Sequence, residues 1–188
     1  MAAPYMKKPL VLLLALSGLV FVLAIVGFFE TSAWHIIGIR AYVIPSASMS
    51  PTLQPGDRFF VDTFAYLSKP PKRGDVITFL REDPDEGLFV KRVIAVGGDS
   101  IECDGDRVIL NGAVLHETYV APATPSEAIP VSFGPATVPV GKLFVMGDSR
   151  SNSNDSRYFG FIDSKQVRGK VLYIYFSKDS SRIGRIVR

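Results

Sequence analysis

At 188 residues the chain can hold one domain with additions and bury a sizeable core, and its 47% apolar content with thirteen Phe and seven Tyr suits a folded, β-rich body. The formal charge of +3 rests largely on Lys7 and Lys8; beyond them 19 basic residues face 18 acidic ones, which leaves no concentrated basic face and excludes nucleic acid as an expected partner. A single cysteine, Cys103, rules out an internal disulfide and, with only His35 and His116 beside it, a thiolate metal cluster, so neither metal nor cofactor is expected.

Residues Leu10 to Phe29 form an uncharged run of twenty. At ~1.5 Å per residue such a helix matches the ~30 Å hydrocarbon core of a bilayer. Lys7 and Lys8 precede the run and Glu30 follows it, so the positive-inside rule places the N-terminus in the cytoplasm and the rest outside. A cleaved secretory signal is the alternative, with Thr31–Ala33 as a passable cleavage site. The run exceeds the ~7–15 residues of a signal's apolar stretch, which favours a retained anchor. The expected organisation is therefore a cytoplasmic tail (1–9), one transmembrane helix (10–30) and an extracytoplasmic domain (31–188), single-pass in the cytoplasmic membrane.

After residue 35 the pattern changes to short apolar runs parted by Gly, Pro and Asp. HIIGIRAYVI (35–44), RFFVDTFAY (58–66), DVITFL (75–80), LFVKRVIAV (88–96), DRVILNG (106–112), KLFVMG (142–147) and KVLYIYF (170–176) read as strands. QPGD (54–57) and KRGD (72–75) read as turns, and CDGD (103–106) as the tip of a tight hairpin. No helical period is sustained after residue 30, so the expected fold is mainly β, an antiparallel sheet domain. Residues 116–140 carry five prolines and little alternation, and read as a loop-rich excursion or a small subdomain inserted in the β body. The last twelve residues, SKDSSRIGRIVR, with four basic residues against one Asp, read as a solvated tail in preference to a segment facing anionic headgroups.

Three segments offer chemistry. No G-x-S-x-G elbow and no S-x-x-K motif occurs, and neither GDS (98–100, 147–149) is followed by Gly-Gly, which argues against the common serine-hydrolase types. The first segment is IPSASMSPTLQPGD (44–57), a serine-rich loop between Pro45 and Pro51. Fixed φ at two prolines can hold amides in one orientation beside a hydroxyl, which a nucleophile and oxyanion hole require; turn-rich Ser/Pro loops without chemistry are also common. The second is Lys91, which alternation places on one strand face with Phe89, Val93 and Ala95. Such a lysine either snorkels to water, the commoner outcome, or is buried with a depressed pKa and able to take a proton from serine. The third is MGDSRSNSNDSRYFG (146–160), either a solvated polar loop with an Arg–Asp pair or a wall that orients catalytic groups.

In this order, and behind an anchor, PSASMSPTL, RGDVITF, VKRVIAVGGD and MGDSRSNSNDSRYFG resemble the four blocks of the type I signal peptidase family, over most of residues 44–100 and 142–160. The resemblance implies a serine endopeptidase with Ser48 as nucleophile and Lys91 as general base. It implies an oxyanion hole from the Ser48 amide and the Ser46 hydroxyl. Ser153 would hydrogen-bond the Lys91 amine, Asp155 and Arg157 would brace their loop, and Ile44 and Val90 would line pockets for Ala-x-Ala. Ala47 stands where the family usually has Gly, and Ser149 and Ser151 where it usually has Asn and Asp. The implied partners are exported preproteins with signal peptides and the phospholipid membrane, with a secretion translocase as a candidate. A conjugal-transfer or pilin-maturing Ser–Lys peptidase and a non-catalytic, membrane-tethered β-domain that binds exported proteins are the alternative readings.

Overall fold

The computed structural model describes residues 17–18, 38–81, 87–105, 107–120 and 131–188. Its contacts divide the chain into two units, Met1–Ile39 and Arg40–Arg188. The anchor expected over 10–30 lies outside the described residues, apart from Ser17 and Gly18, which are helical. Among the described residues, no helix is long and apolar enough to cross a membrane.

The second unit is mainly β. One sheet of seven strands has the order β1 (Ile39–Val43), β2 (Arg58–Asp62), β11 (Val167–Phe176), β3 (Val76–Leu80), β4 (Leu88–Val96), β9 (Lys142–Met146) and β10 (Ile162–Asp163). A second sheet of four has the order β7 (Ala113–Val114), β6 (Arg107–Leu110), β5 (Ser100–Asp104) and β8 (Phe133–Thr137). The registered pairings are all antiparallel. The hairpin expected at CDGD is present, with Cys103 opposite Val108 and Asp104 opposite Arg107. Cys103 is a core residue, and burial pushes its thiol up to about 11.

Strand β4 lies between β3 and β9, and five consecutive residues, Lys91 to Ala95, are buried. A strand covered on both faces loses the apolar–polar alternation of a half-exposed one. Its register against β9 shifts between Val93 and Ala95. Val93 accordingly packs in a cluster with Phe89, whereas Ala95 joins Ile94 in a different cluster, so the four-residue face expected from alternation ends at Val93.

The two remaining segments take different courses. The proline-rich stretch contributes β8, which pairs with β5 at the sheet edge, where Pro135 costs no ladder bond on its outer side. The C-terminal twelve residues are not a solvated tail. The Ile174 amide donates to the Arg185 carbonyl at 3.0 Å, the Val187 amide donates to the Leu172 carbonyl at 2.8 Å, and Val187 is buried with Ile44, Met49, Leu53 and Ile174. Val187, together with the buried Arg182, docks this segment in a way that its charge count conceals, while Ile183 and Ile186 stay exposed.

Candidate active site

The serine loop leaves β1 at Ile44 and closes on itself at its base. The Ile44 amide donates to the Asp57 carbonyl at 3.0 Å, and the Gly56 amide to the Ile44 carbonyl at 2.8 Å. Within the loop, Ser50 donates to the Ala47 carbonyl and Leu53 to the Met49 carbonyl, each at 2.9 Å. Met49 and Leu53 are fully buried and pin the loop to the core, which leaves Ser48 half-buried and Ser46 exposed at its crest. The two hydroxyls lie 3.3 Å apart.

Lys91 reaches the same point from the centre of β4. Its Nζ donates to Ser48 Oγ at 2.8 Å, and the residue is 4% exposed. Burial lowers its pKa from 10.5 to about 8; the Asp155 and Asp148 carboxylates oppose that shift and the Arg157 guanidinium adds to it. A cleft of about 360 Å³ opens over this pair, lined by Ile44, Ser46, Ser48, Val90, Lys91 and Asn152 among others.

The polar loop after β9 buries Asp148, Arg150, Ser153, Asp155, Ser156 and Arg157 while Asn152, Asn154 and Tyr158 stay exposed. The Ser149 amide donates to the Ser48 carbonyl at 3.1 Å. Asp155 is fully buried; it accepts from the Gly147 amide at 3.0 Å and pairs with the Arg157 guanidinium at 2.8 and 2.9 Å. Arg157 also donates to the Arg150 carbonyl at 2.6 Å, so Asp155 and Arg157 tie both ends of the loop together. The hydrogen bond expected from Ser153 to Lys91 is not made. Ser153 Oγ is buried without a partner, wedged close to Gly147, while the Lys91 amine is directed at Ser48.

Several site residues were missed in the sequence. Arg92 and Asp148 form an ion pair at 2.7 Å with both side chains 1% exposed, and Thr52 Oγ1 donates to Asp148 at 2.5 Å. Glu117, from the proline-rich stretch, takes Arg150 in two bonds of 2.6 and 2.5 Å and accepts from the Tyr119 hydroxyl at 2.6 Å. The signal available was Arg92 itself: a second cation in mid-strand must find a buried partner if both faces are covered. Nothing in the spacing named Asp148 or Glu117 as those partners.

Comparison with known proteins places the chain in a family. The model of the family described as signal peptidase, peptidase S26, matches residues 13–176. A signal peptidase I of Leptolyngbya laminosa is 36% identical over 151 residues, covering 72% of this chain and 70% of that protein. One of Bacillus licheniformis is 39% identical over 142 residues, 72% and 75% of the two chains. A solved signal peptidase I from Enterococcus faecalis V583 is 35% identical, with a TM-score of 0.45, and the match covers 54% of this chain and 97% of that one. On the span of the family match and the identity to these relatives, the chain belongs to the signal peptidase family, peptidase S26, and is a serine endopeptidase of that hydrolase class.

Proposed function

We propose that this enzyme removes signal peptides from exported preproteins, cutting after Ala-x-Ala through a Ser48–Lys91 dyad. The observation that carries the reading is the 2.8 Å bond between a buried Lys91 amine and Ser48 Oγ. With a pKa near 8, a useful fraction of Lys91 is neutral at physiological pH and can take the Ser48 proton as the hydroxyl attacks the scissile carbonyl. The oxyanion that forms is held by the Ser48 amide and the Ser46 hydroxyl. Lys91 then passes the proton to the leaving amine of the mature protein. Water, deprotonated by the same amine, releases the signal peptide from its ester on Ser48.

The preprotein lies extended along the cleft, main chain against a strand edge, with Ile44 and Val90, which line it, selecting small side chains. Residues 10–30 hold the domain to the cytoplasmic membrane, where such preproteins emerge, and 31–188 form the peptidase on the outer face. A β-domain that only bound exported proteins would have no use for a buried amine aimed at a hydroxyl, since burying it costs stability.

Mass-spectrometric mapping of the cleavage site on an exported preprotein, wild type beside Ser48→Ala, tests this. The expected result is one cut after Ala-x-Ala, absent in Ser48→Ala. Cleavage that persists in Ser48→Ala, or falls elsewhere, overturns the reading.

A further inference from the structure

We infer that Arg182, on the C-terminal segment, is a positioning residue for the nucleophile loop, an inference that rests on the Ser48–Lys91 reading above. Arg182 stands 134 positions from Ser48 in the chain, roughly two thirds of its length, and touches no reacting atom. It is 3% exposed, and its guanidinium is spread over three groups of the serine loop. It donates to the Pro51 carbonyl at 3.1 Å, to the Thr52 carbonyl at 3.0 Å and to Asp57 Oδ2 at 2.7 and 3.2 Å.

These contacts fall on the arm of the loop that follows Ser48 and on its base. Pro51 and Thr52 follow Ser48 in a stretch outside any strand, and Arg182 supplies a donor to each of their carbonyls. Asp57 closes the base of the loop: its carboxylate also accepts from the Gln54 amide at 2.8 Å, and its carbonyl receives the Ile44 amide. One side chain therefore fixes the descending arm of the loop and its base together, and with them Ser48 and the pocket wall at Ile44. Arg182 is itself held. It ends a short 3-10 turn, Ser180–Arg182, and the following residues are tied to β11 through Gly184 to Ile174 at 2.8 Å and Val187 to Leu172 at 2.8 Å. A lysine could keep the charge opposite Asp57, but an ammonium cannot span two carbonyls and a carboxylate as a planar guanidinium does.

The test uses the full chain in detergent micelles with a preprotein substrate. Arg182→Lys keeps the charge, and Arg182→Met combined with Asp57→Leu replaces the buried pair by an apolar one, a change that is often neutral for stability. Arg182→Lys should lower kcat by about 10- to 100-fold, as a small misplacement of a catalytic group does, with KM near the wild-type value. Amide hydrogen exchange should quicken at Ser48, Ser50 and Leu53 and stay unchanged in β3 and β4. The apolar pair should regain the wild-type melting temperature without regaining kcat. Wild-type kcat and exchange in Arg182→Lys would overturn the inference, as would an apolar pair that restores kcat along with stability. If the wild type fails to cut any preprotein, the proposed function falls; the exchange at Ser48 to Leu53 then decides the brace by itself.

Discussion

The Ser149 amide donates to the Ser48 carbonyl at 3.1 Å, so the polar loop after β9 holds the serine loop by its backbone as well as through the Thr52–Asp148 side-chain bond. Two residues earlier, Gly147 lies so close to the same carbonyl that a Cβ there would run into it and into Ser153 Oγ. The two loops dock at a spot where only a hydrogen atom fits.

Gly147→Ala should therefore displace Ser48 or the polar loop while leaving the sheets intact. A shift of the order of 1 Å at a catalytic group can cost ~10² in rate, and a loss of that size in kcat is expected, with an unchanged far-ultraviolet circular dichroism spectrum. Near wild-type turnover in Gly147→Ala would mean that the contact yields freely and does not set the position of Ser48.

Ser46 tests the oxyanion hole. Its hydroxyl lies 3.3 Å from Ser48 Oγ on an exposed crest, where it is free to turn toward a developing oxyanion. Ser46→Ala should lower kcat by ~10²–10³ and leave KM nearly unchanged, because the donor is used mainly in the transition state. A change confined to KM would place Ser46 against the ground state and remove it from the oxyanion hole.

Arg92 and Asp148 are close to fully buried, so breaking the pair from one side leaves a buried charge without its counter-charge. Asp148→Ala should cost roughly 3–5 kcal/mol in urea unfolding, whereas Arg92→Met together with Asp148→Leu should cost much less. Equal losses in the two proteins would show that packing around Tyr119, whose ring lies 3.9 Å from the Arg92 guanidinium, matters more than the charges.

Much of the scaffold was legible in the sequence because its signals are local. LFVKRVIAV reads as a strand and is β4 from Leu88 to Val96, and CDGD reads as a hairpin tip and is one. The serine loop and Lys91 stood out because polar groups amid apolar neighbours need a reason. What escaped was non-local. That Arg92 meets Asp148, Arg150 meets Glu117 and Arg182 meets Asp57 depends on which strands adjoin, and periodicity carries no information about partners. The proline-rich stretch hid β8 for a related reason: an edge strand tolerates Pro135 and need not alternate.

The uncharged run at 10–29, behind Lys7 and Lys8, sets the orientation expected of the chain. Protease added to intact spheroplasts should digest the region after residue 30. Digestion only in inverted vesicles would put the peptidase on the cytoplasmic side, where it could not meet exported preproteins.

Lys91 ties mechanism to stability. With a folded pKa of about 8 against 10.5 for a free lysine, the buried amine costs the protein about 3 kcal/mol at neutral pH, taking ~1.36 kcal/mol per pH unit. Between the two values the unfolded chain binds the extra proton, so stability rises with pH across that window. The cost is present in full below about 8 and is gone above 10.5. Lys91→Met should be inactive and, where the thioether fills the same space, more stable than wild type at pH 7, with a gap that closes as pH climbs toward 10.5. Wild-type kcat should rise with pH through about 8 as the amine loses its proton. Lys91→Arg should be inactive at every pH, since a guanidinium stays charged and cannot serve as base. The measurement is denaturant unfolding of wild type and Lys91→Met from pH 6 to pH 11, beside the pH profile of kcat. A stability gap that stays constant over that range, or turnover in Lys91→Arg, would show that the amine is charged in the folded enzyme and that another group takes the proton from Ser48.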